Sequence, residues 1–194
     1  MTEEQGTKAA ARTEWDAPEV QRILWRLARE LQEAHPGGGE ICLCGIVTRG
    51  VYLAQRLRQL VEEQCSAEWT AVALDVGPFR DDGRRASWQG VAELPLPWAD
   101  RSAVDGRDVI LIDDVLYHGR TARAALAALA QLGRPRSVEL LVMVDRGHRE
   151  LPLRATYVGK NMPTSAEQRV SVHVLACDGE DAIRLQLQSE RERL

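Results

Sequence analysis

Residues 108–129 read DVILIDDVLYHGRTARAALAAL. Val109, Ile110, Leu111 and Ile112 run directly into two adjacent carboxylates, Asp113 and Asp114, and the segment Tyr117-His118-Gly119-Arg120-Thr121 then leads into sequence that can only be helix. Unpaired amides and the dipole at a helix N-terminus favour an anion, and phosphate is the usual one. Gly119 lets the backbone approach closely, and the Thr121 hydroxyl adds a hydrogen bond. Two carboxylates in front of a phosphate cradle cannot hold the phosphate themselves. They suit sugar hydroxyls, which donate hydrogen bonds, or a bound Mg²⁺. An isolated Asp-Asp is more often an acid-rich turn with a helix cap. With strand, acids, Gly-x-Thr and helix in that order, the pieces describe a site for a ribose 5-phosphate.

The flanking elements have to carry that site. Asp16-Ala17-Pro18-Glu19 forms a capping box with Pro in the first turn, and Val20, Leu24, Leu27, Ala28 and Leu31 follow at helical spacing until Pro36-Gly37-Gly38-Gly39. The strand ICLCGIV, a loop Thr48-Arg49-Gly50 and a helix with Leu53, Leu57, Leu60 and Val61 on one face come next, then a strand AVALDV over 71–76. The stretch FRDDGRRASWQGVAELPLPWADRSAVDGRD is too long for an ordinary connection, which points to a functional or mobile segment. After it come the strand VILI, a helix with Ala122, Ala125, Leu126 and Leu129 inward and Gly133 as its stop, and the strand VELLVMVD over 138–145. VSVHVLACDGEDAIRLQL alternates around Asp178-Gly179 as a hairpin does. Strands apolar on both faces that alternate with helices make this an α/β chain with a parallel sheet covered on two sides. In an open parallel sheet a ligand binds beyond the carboxyl ends of the strands, where Asp113 and Asp114 lie.

Composition narrows the function. A chain of 194 residues, 44% hydrophobic and 28% charged, suits one globular domain, here residues 16–194, behind a polar N-terminal tail over 1–15. A net charge of −4 gives no global basic field, so any nucleic-acid surface is local. Aromatics at 5% argue against a base-stacking platform. The apolar runs are too short to span a membrane and the N-terminus lacks a signal-peptide core, so the expectation is a cytoplasmic protein with no membrane partner. Cys42-x-Cys44 sits inside a strand with both side chains on one face, and the paired spacing of zinc sites is missing. The expectation is reduced core thiols.

The acid-and-cradle segment resembles the phosphoribosyl pyrophosphate (PRPP) signature of type I phosphoribosyltransferases. Together with GIVTRGVYLAQRL, FRDD, LGRP and VDRGHRELPLRATYVGKNMPTS it resembles the PyrR family over roughly residues 16–175. Members of that family are bacterial regulators of the pyrimidine operon and also uracil phosphoribosyltransferases. The last block is long and idiosyncratic, and so far more specific than the signature alone. The resemblance implies the type I phosphoribosyltransferase fold: a twisted, mainly parallel sheet flanked by helices, with a small hood and a flexible loop.

It also implies roles. Uracil N1 displaces pyrophosphate at the anomeric carbon of PRPP to give UMP, with Mg²⁺ arriving on PRPP. Catalytic roles fall to Arg80, Asp113 and Asp114, the two acids taking the ribose hydroxyls and lying near the Mg²⁺, with no direct metal ligand among the side chains. Thr48, Arg49 and Gly50 form the pyrophosphate loop; Val115, Leu116, Tyr117, His118, Gly119, Arg120 and Thr121 hold PRPP or nucleotide; and Arg146 reaches the pyrophosphate or ribose side. Lys160, Asn161 and Met162 belong to the nucleobase hood, and Arg80 opens the region that closes over substrate.

Family members bind a pyr leader mRNA stem-loop when UMP or UTP is bound, and they form homodimers or homotetramers. Arg22, Arg26 and Arg29 make a basic stripe on the first helix, and His148, Arg149, Arg154 and Lys160 match basic positions that relatives use for RNA. Charge pattern alone favours ordinary pairing of the stripe with Glu19, Glu30 and Glu33. Trp25 and Arg29 stand where relatives commonly have Thr and His, and Trp25 suits a base stack or a subunit interface. His118 replaces a usual Thr, Gln89 a usual Lys and Phe79 a usual Tyr, which bears on catalytic efficiency more than on ligand identity. Two alternatives stand beside the bifunctional reading: a regulator with little or no catalysis, and a plain nucleobase salvage enzyme without RNA binding.

Overall fold

The computed structural model describes residues 12–37, 40–64, 69–81, 94–165 and 167–187. Residues 82–93, with Gln89, and the first eleven residues lie outside the described residues. Helix α1, Ala17–Ala34, starts as its sequence dictates. Asp16 Oδ1 accepts from the Glu19 amide at 3.2 Å and Glu19 Oε2 from the Asp16 amide at 3.1 Å. Its buried face is Val20, Ile23, Leu24, Leu27, Ala28 and Leu31. Each large aliphatic side chain removed from water there contributes about 2 kcal/mol.

That face packs on one side of a five-stranded sheet. The strands are β2 (Ile41–Ile46), β3 (Thr70–Leu74), β4 (Asp108–Leu116), β5 (Ser137–Asp145) and β6 (Tyr157–Asn161). They run parallel in the order β3-β2-β4-β5-β6. Helix α2, Arg49–Gln64, joins α1 on the same side, with Leu53, Leu57, Leu60 and Val61 inward. Helices α3 (Arg101–Val104) and α4 (Arg120–Leu132) cover the other side through Ala103, Val104, Ala122, Ala125 and Leu129. Cys42 and Cys44 both point into that second layer, as alternation requires. Burial pushes both thiols up, Cys42 to about 12, so they act as apolar filler.

A second, antiparallel sheet has the order β1-β8-β7, from β1 (Arg12–Trp15), β7 (Gln168–His173) and β8 (Ala182–Leu187). The β7–β8 hairpin turns through helix α5, Leu175–Asp178, with Gly179 left-handed at φ 78°. Val170, Val172 and Ile183 join the α1–α2 core, so this small sheet is the hood packed onto the main body.

Five expectations change. Leu126, expected on the inward face of α4, is exposed. The polar tail cannot run to residue 15, because Arg12–Trp15 pairs with β8. Thr48-Arg49-Gly50 is not all loop, because Arg49 and Gly50 already belong to α2. The stretch before β4 is not wholly irregular. It contains α3, and Pro97–Ala99 closes the β3 edge, with Ala73 N–H donating to Pro97 O at 2.7 Å and Ala99 N–H to Ala73 O at 2.8 Å. The strand carrying the acids does not stop at Ile112; it continues to Leu116.

Candidate phosphoribosyl site

Register decides where the site opens. β2 pairs with β4 only as far as Gly45 opposite Ile112, whereas β5 stays paired to Leu116 opposite Asp145. The chain leaves β2 toward β3 on one side and resumes at β4 on the other, so the last third of β4 stands at the topological switch point. Asp113 and Asp114 occupy that overhang. The N-terminal turn of α2 fills the space beside it so tightly that a Cβ on Gly50 would sit 2.2 Å from the Ile112 carbonyl oxygen. The peptide bond before this turn, Val47–Thr48, is cis.

The two acids bend back onto the strand. Asp113 Oδ1 accepts from the Asp114 amide at 2.9 Å, and Asp114 Oδ1 from the Val115 amide at 2.8 Å. Burial holds the Asp113 carboxyl well above the usual carboxylate range, and the neighbouring Asp114 adds to this. Beyond them a cavity of about 120 Å³ is lined by Arg80, Asp113 and the run from Val115 through Thr121 to Ala122. Gly119, at φ 92°, turns the chain into α4. Arg80 reaches across from the other side and donates to Thr121 Oγ1 at 3.2 Å. The cradle, Asp113 and Arg80 therefore share one space, while Asp114 faces Arg49 beside it.

His118 stacks on Tyr117 with ring centroids 3.7 Å apart, and its Nδ1 lies 3.5 Å from Glu150 Oε1. Arg120 points outward: Nη2 donates to Glu150 at 2.7 Å and Nη1 to Asp81 at 3.1 Å. Arg146 does not project into the cavity. Its guanidinium, 3.8 Å from the Tyr117 ring centroid, donates to Thr164 Oγ1 at 2.7 Å and to the Gln168 carbonyl, and burial lowers its pKa. It ties the back of the cradle to the hood. Lys160, Asn161 and Met162 do not lie in the hood sheet as expected: Lys160 and Asn161 belong to β6 of the main sheet, with Lys160 5.5 Å over Trp15 of the hood, and Met162 is buried in the α1–α2 core.

Arg49 meets a partner that the sequence did not suggest. It makes a bidentate pair with Asp178 at 2.9 and 2.7 Å, and its Nη1 lies 4.0 Å from Asp114 Oδ2. Asp178 reads in sequence only as half of a turn dipeptide. Glu150 and Thr164 were equally silent, since nothing in their spacing ties them to His118, Arg120 or Arg146.

The basic positions divide. Arg22 and Arg26 pair with Glu19 and Glu30, and Arg26 also donates to the Val158 and Gly159 carbonyls at 3.0 and 2.6 Å. Arg29 lies 4.9 Å over the exposed Trp25 ring. Arg149 is turned inward, with Nη1 on the Tyr117 carbonyl at 2.7 Å and Nη2 on Asp145. His148, at φ 57°, bonds the Thr164 carbonyl, while Arg154 is exposed.

The β4 overhang, with Asp113 beside the turn into α4, stands where an open α/β sheet takes its ligand. Residues 15–176 match the phosphoribosyl transferase domain, and the chain belongs to that family. Within it the chain falls among the bifunctional PyrR proteins. The Bifunctional protein PyrR of Streptomyces coelicolor is 44% identical over 185 residues, covering 95% of this chain and 94% of the relative. That of Thermus thermophilus is 47% identical over 171 residues, covering 88% and 92%. In fold the chain is similar to the hypoxanthine phosphoribosyltransferase of Trypanosoma cruzi, with a TM-score of 0.67 at 15% identity over 92% of this chain and 97% of that one. A hypoxanthine phosphoribosyltransferase from Staphylococcus aureus gives 0.66 at 17% identity over 98% and 99%.

Proposed function

We propose that this chain transfers phosphoribosyl from PRPP to uracil, and that UMP or UTP held in the same site controls its binding to a pyr leader RNA stem-loop. The observation that carries the reading is the shared cavity, which puts Asp113 next to the cradle of residues 117–121. Uracil N1 attacks the anomeric carbon of PRPP as the bond to pyrophosphate breaks, and the N1 proton passes to solvent or the leaving pyrophosphate. The ribose hydroxyls donate to Asp113 and Asp114, which favours the charged carboxylates and sets negative charge beside a ribose that turns positive. The Gly119–Thr121 amides and hydroxyl hold the 5-phosphate at the start of α4. Arg80 closes over it and excludes water. The Thr48–Gly50 turn serves the pyrophosphate through its backbone, and Lys160, Asn161 and Met162 border the base.

Mg²⁺ fits this donor set. Among the described residues no cluster of three or more acids, His or Cys forms a metal cage, and one or two carboxylates completed by substrate phosphates is how Mg²⁺ is usually held. Asp113 and Asp114 would lie near an ion carried in by PRPP rather than cage it, and that ion would offset charge on the leaving pyrophosphate.

For RNA, the supporting surface is the outer face of α1, with Arg22, Trp25 and Arg29, and the exposed Arg154. Arg26 and Arg149 serve instead to hold β6 and the cradle. No described helix is long and apolar enough to cross a membrane, and the proposed RNA partner supports a cytoplasmic setting. Uracil turnover with labelled PRPP and Mg²⁺ tests the enzyme, and filter binding of a pyr leader stem-loop with and without UMP tests the regulator. UMP formation and UMP-dependent RNA retention are expected; absence of either removes that half. One feature favours a regulator with weak turnover: the His118 ring faces Glu150 where a hydroxyl would face phosphate.

A further inference from the structure

Two arginine–aspartate pairs strap α2 to the β7–β8 connection. Arg49 donates Nε and Nη2 to the two oxygens of Asp178 at 2.9 and 2.7 Å, and two turns along the helix Arg56 donates to Asp181 at 2.7 Å. Both pairs hold the hood to the body. They differ in what stands behind the arginine. Arg49 Nη1 is 4.0 Å from Asp114 Oδ2, one step short of a hydrogen bond, and Asp114 Oδ1 is already occupied by the Val115 amide. The oxygen facing Arg49 is thus the one that the Val115 amide does not take.

Asp178 is itself fixed. It accepts the Val174 amide at 2.8 Å and lies 3.3 Å from the Cys177 sulfur at the end of α5. Burial pushes its carboxyl up, but the bonds from Arg49, Val174 and Cys177 outweigh this and hold it at about 2, so it stays charged across the neutral range. A bidentate carboxylate is the geometry a guanidinium prefers, and while Asp178 supplies it Arg49 has no reason to close on Asp114.

We propose that Asp178 is a positioning residue for the ribose subsite: it parks the Arg49 guanidinium and so keeps Asp114 available to PRPP. This rests on the phosphoribosyl reading of Asp113 and Asp114. Without Asp178 the guanidinium moves the remaining distance to Asp114 and becomes an internal competitor for the acid that must meet the sugar.

The test is calorimetric titration of the full chain with Mg-PRPP, each variant first checked for an unaltered melting profile. Asp178→Asn is expected to bind PRPP about ten-fold more weakly, because a misplaced charge next to the reacting sugar is costly. Asp181→Asn cuts the same strap without touching Arg49 and is expected to stay within about two-fold. Adding Arg49→Met to Asp178→Asn removes the competitor and is expected to recover at least about three-fold of the loss, which no merely structural role predicts. Should Asp178→Asn fail to fold, Asp178→Glu carries the test: it keeps the charge, and affinity within about three-fold supports the parking role while a ten-fold loss opposes it. Normal affinity in Asp178→Asn, an equal loss in Asp181→Asn, or no recovery in the double variant overturns the proposal. Absence of PRPP binding by the unaltered chain instead overturns the phosphoribosyl reading beneath it.

Discussion

Strand β4 carries an aspartate near each end, and their surroundings are opposite. Asp108, at the amino end, accepts from Arg136 at 2.9 and 2.5 Å and from the Ser137 hydroxyl at 2.7 Å, and these bonds hold its carboxyl at about 2. Glu139, near the amino end of β5, is likewise met by the Tyr157 hydroxyl and by His35 Nε2, both at 2.9 Å. Asp113, five residues beyond Asp108, is pushed the other way by burial and by Asp114. An acid with a protein partner stabilises the fold. An acid set against another acid in a crevice destabilises it, and such acids mark places kept for a ligand.

The sharpest way to break this contrast is Asp113→Asn. Transfer to uracil is expected to fall by at least about 100-fold, since an electrostatic contact to the reacting sugar is lost. The melting temperature is expected to hold or rise. A carboxyl raised in the folded state favours its protonated form, so above the ordinary carboxylate range ionisation costs folding free energy, and the neutral amide removes that cost. Loss of stability together with activity would place Asp113 with Asp108.

Gly50→Ala attacks the carboxyl end through the backbone. The added methyl would clash with the Ile112 carbonyl, and a loss of about 2 kcal/mol is expected with weaker PRPP binding, read by denaturant unfolding and calorimetry. Asp108→Asn is the mirror experiment. Turnover is expected within about two-fold of the unaltered chain while stability drops by roughly 1 kcal/mol, a figure discounted because Arg136 is half exposed. The sign follows from a depressed carboxyl: its stabilisation is present above about pH 4 and is lost as pH falls toward about 2, so the melting difference shrinks over that window. The smallest effect belongs to His118→Thr. A hydroxyl in place of a ring that faces Glu150 is expected to tighten PRPP about three-fold by calorimetry.

How much of this was legible in the sequence follows from how local each feature is. The capping box at Asp16, the apolar stripe of α1 and the acid-cradle order around Gly119 are short-range patterns, and each appears where the residues put it. The pairing of Arg12–Trp15 with β8 links positions about 170 apart in sequence, and polar composition hid it. The Arg49–Asp178 bridge is hidden for the same reason. Arg149 and Arg146 show a different limit. A basic residue in a basic segment reads as a ligand contact, yet carbonyls of the cradle and the hood take up their donors. Side-chain direction, unlike strand period, is settled by tertiary partners.

The most direct test of the central claim is a crystal structure of the full chain with UMP. The 5-phosphate is expected in the cradle formed by His118, Gly119, Arg120 and Thr121, with the ribose hydroxyls on Asp113 and Asp114. A nucleotide bound with its phosphate away from the start of α4, or its sugar away from the β4 overhang, would contradict it.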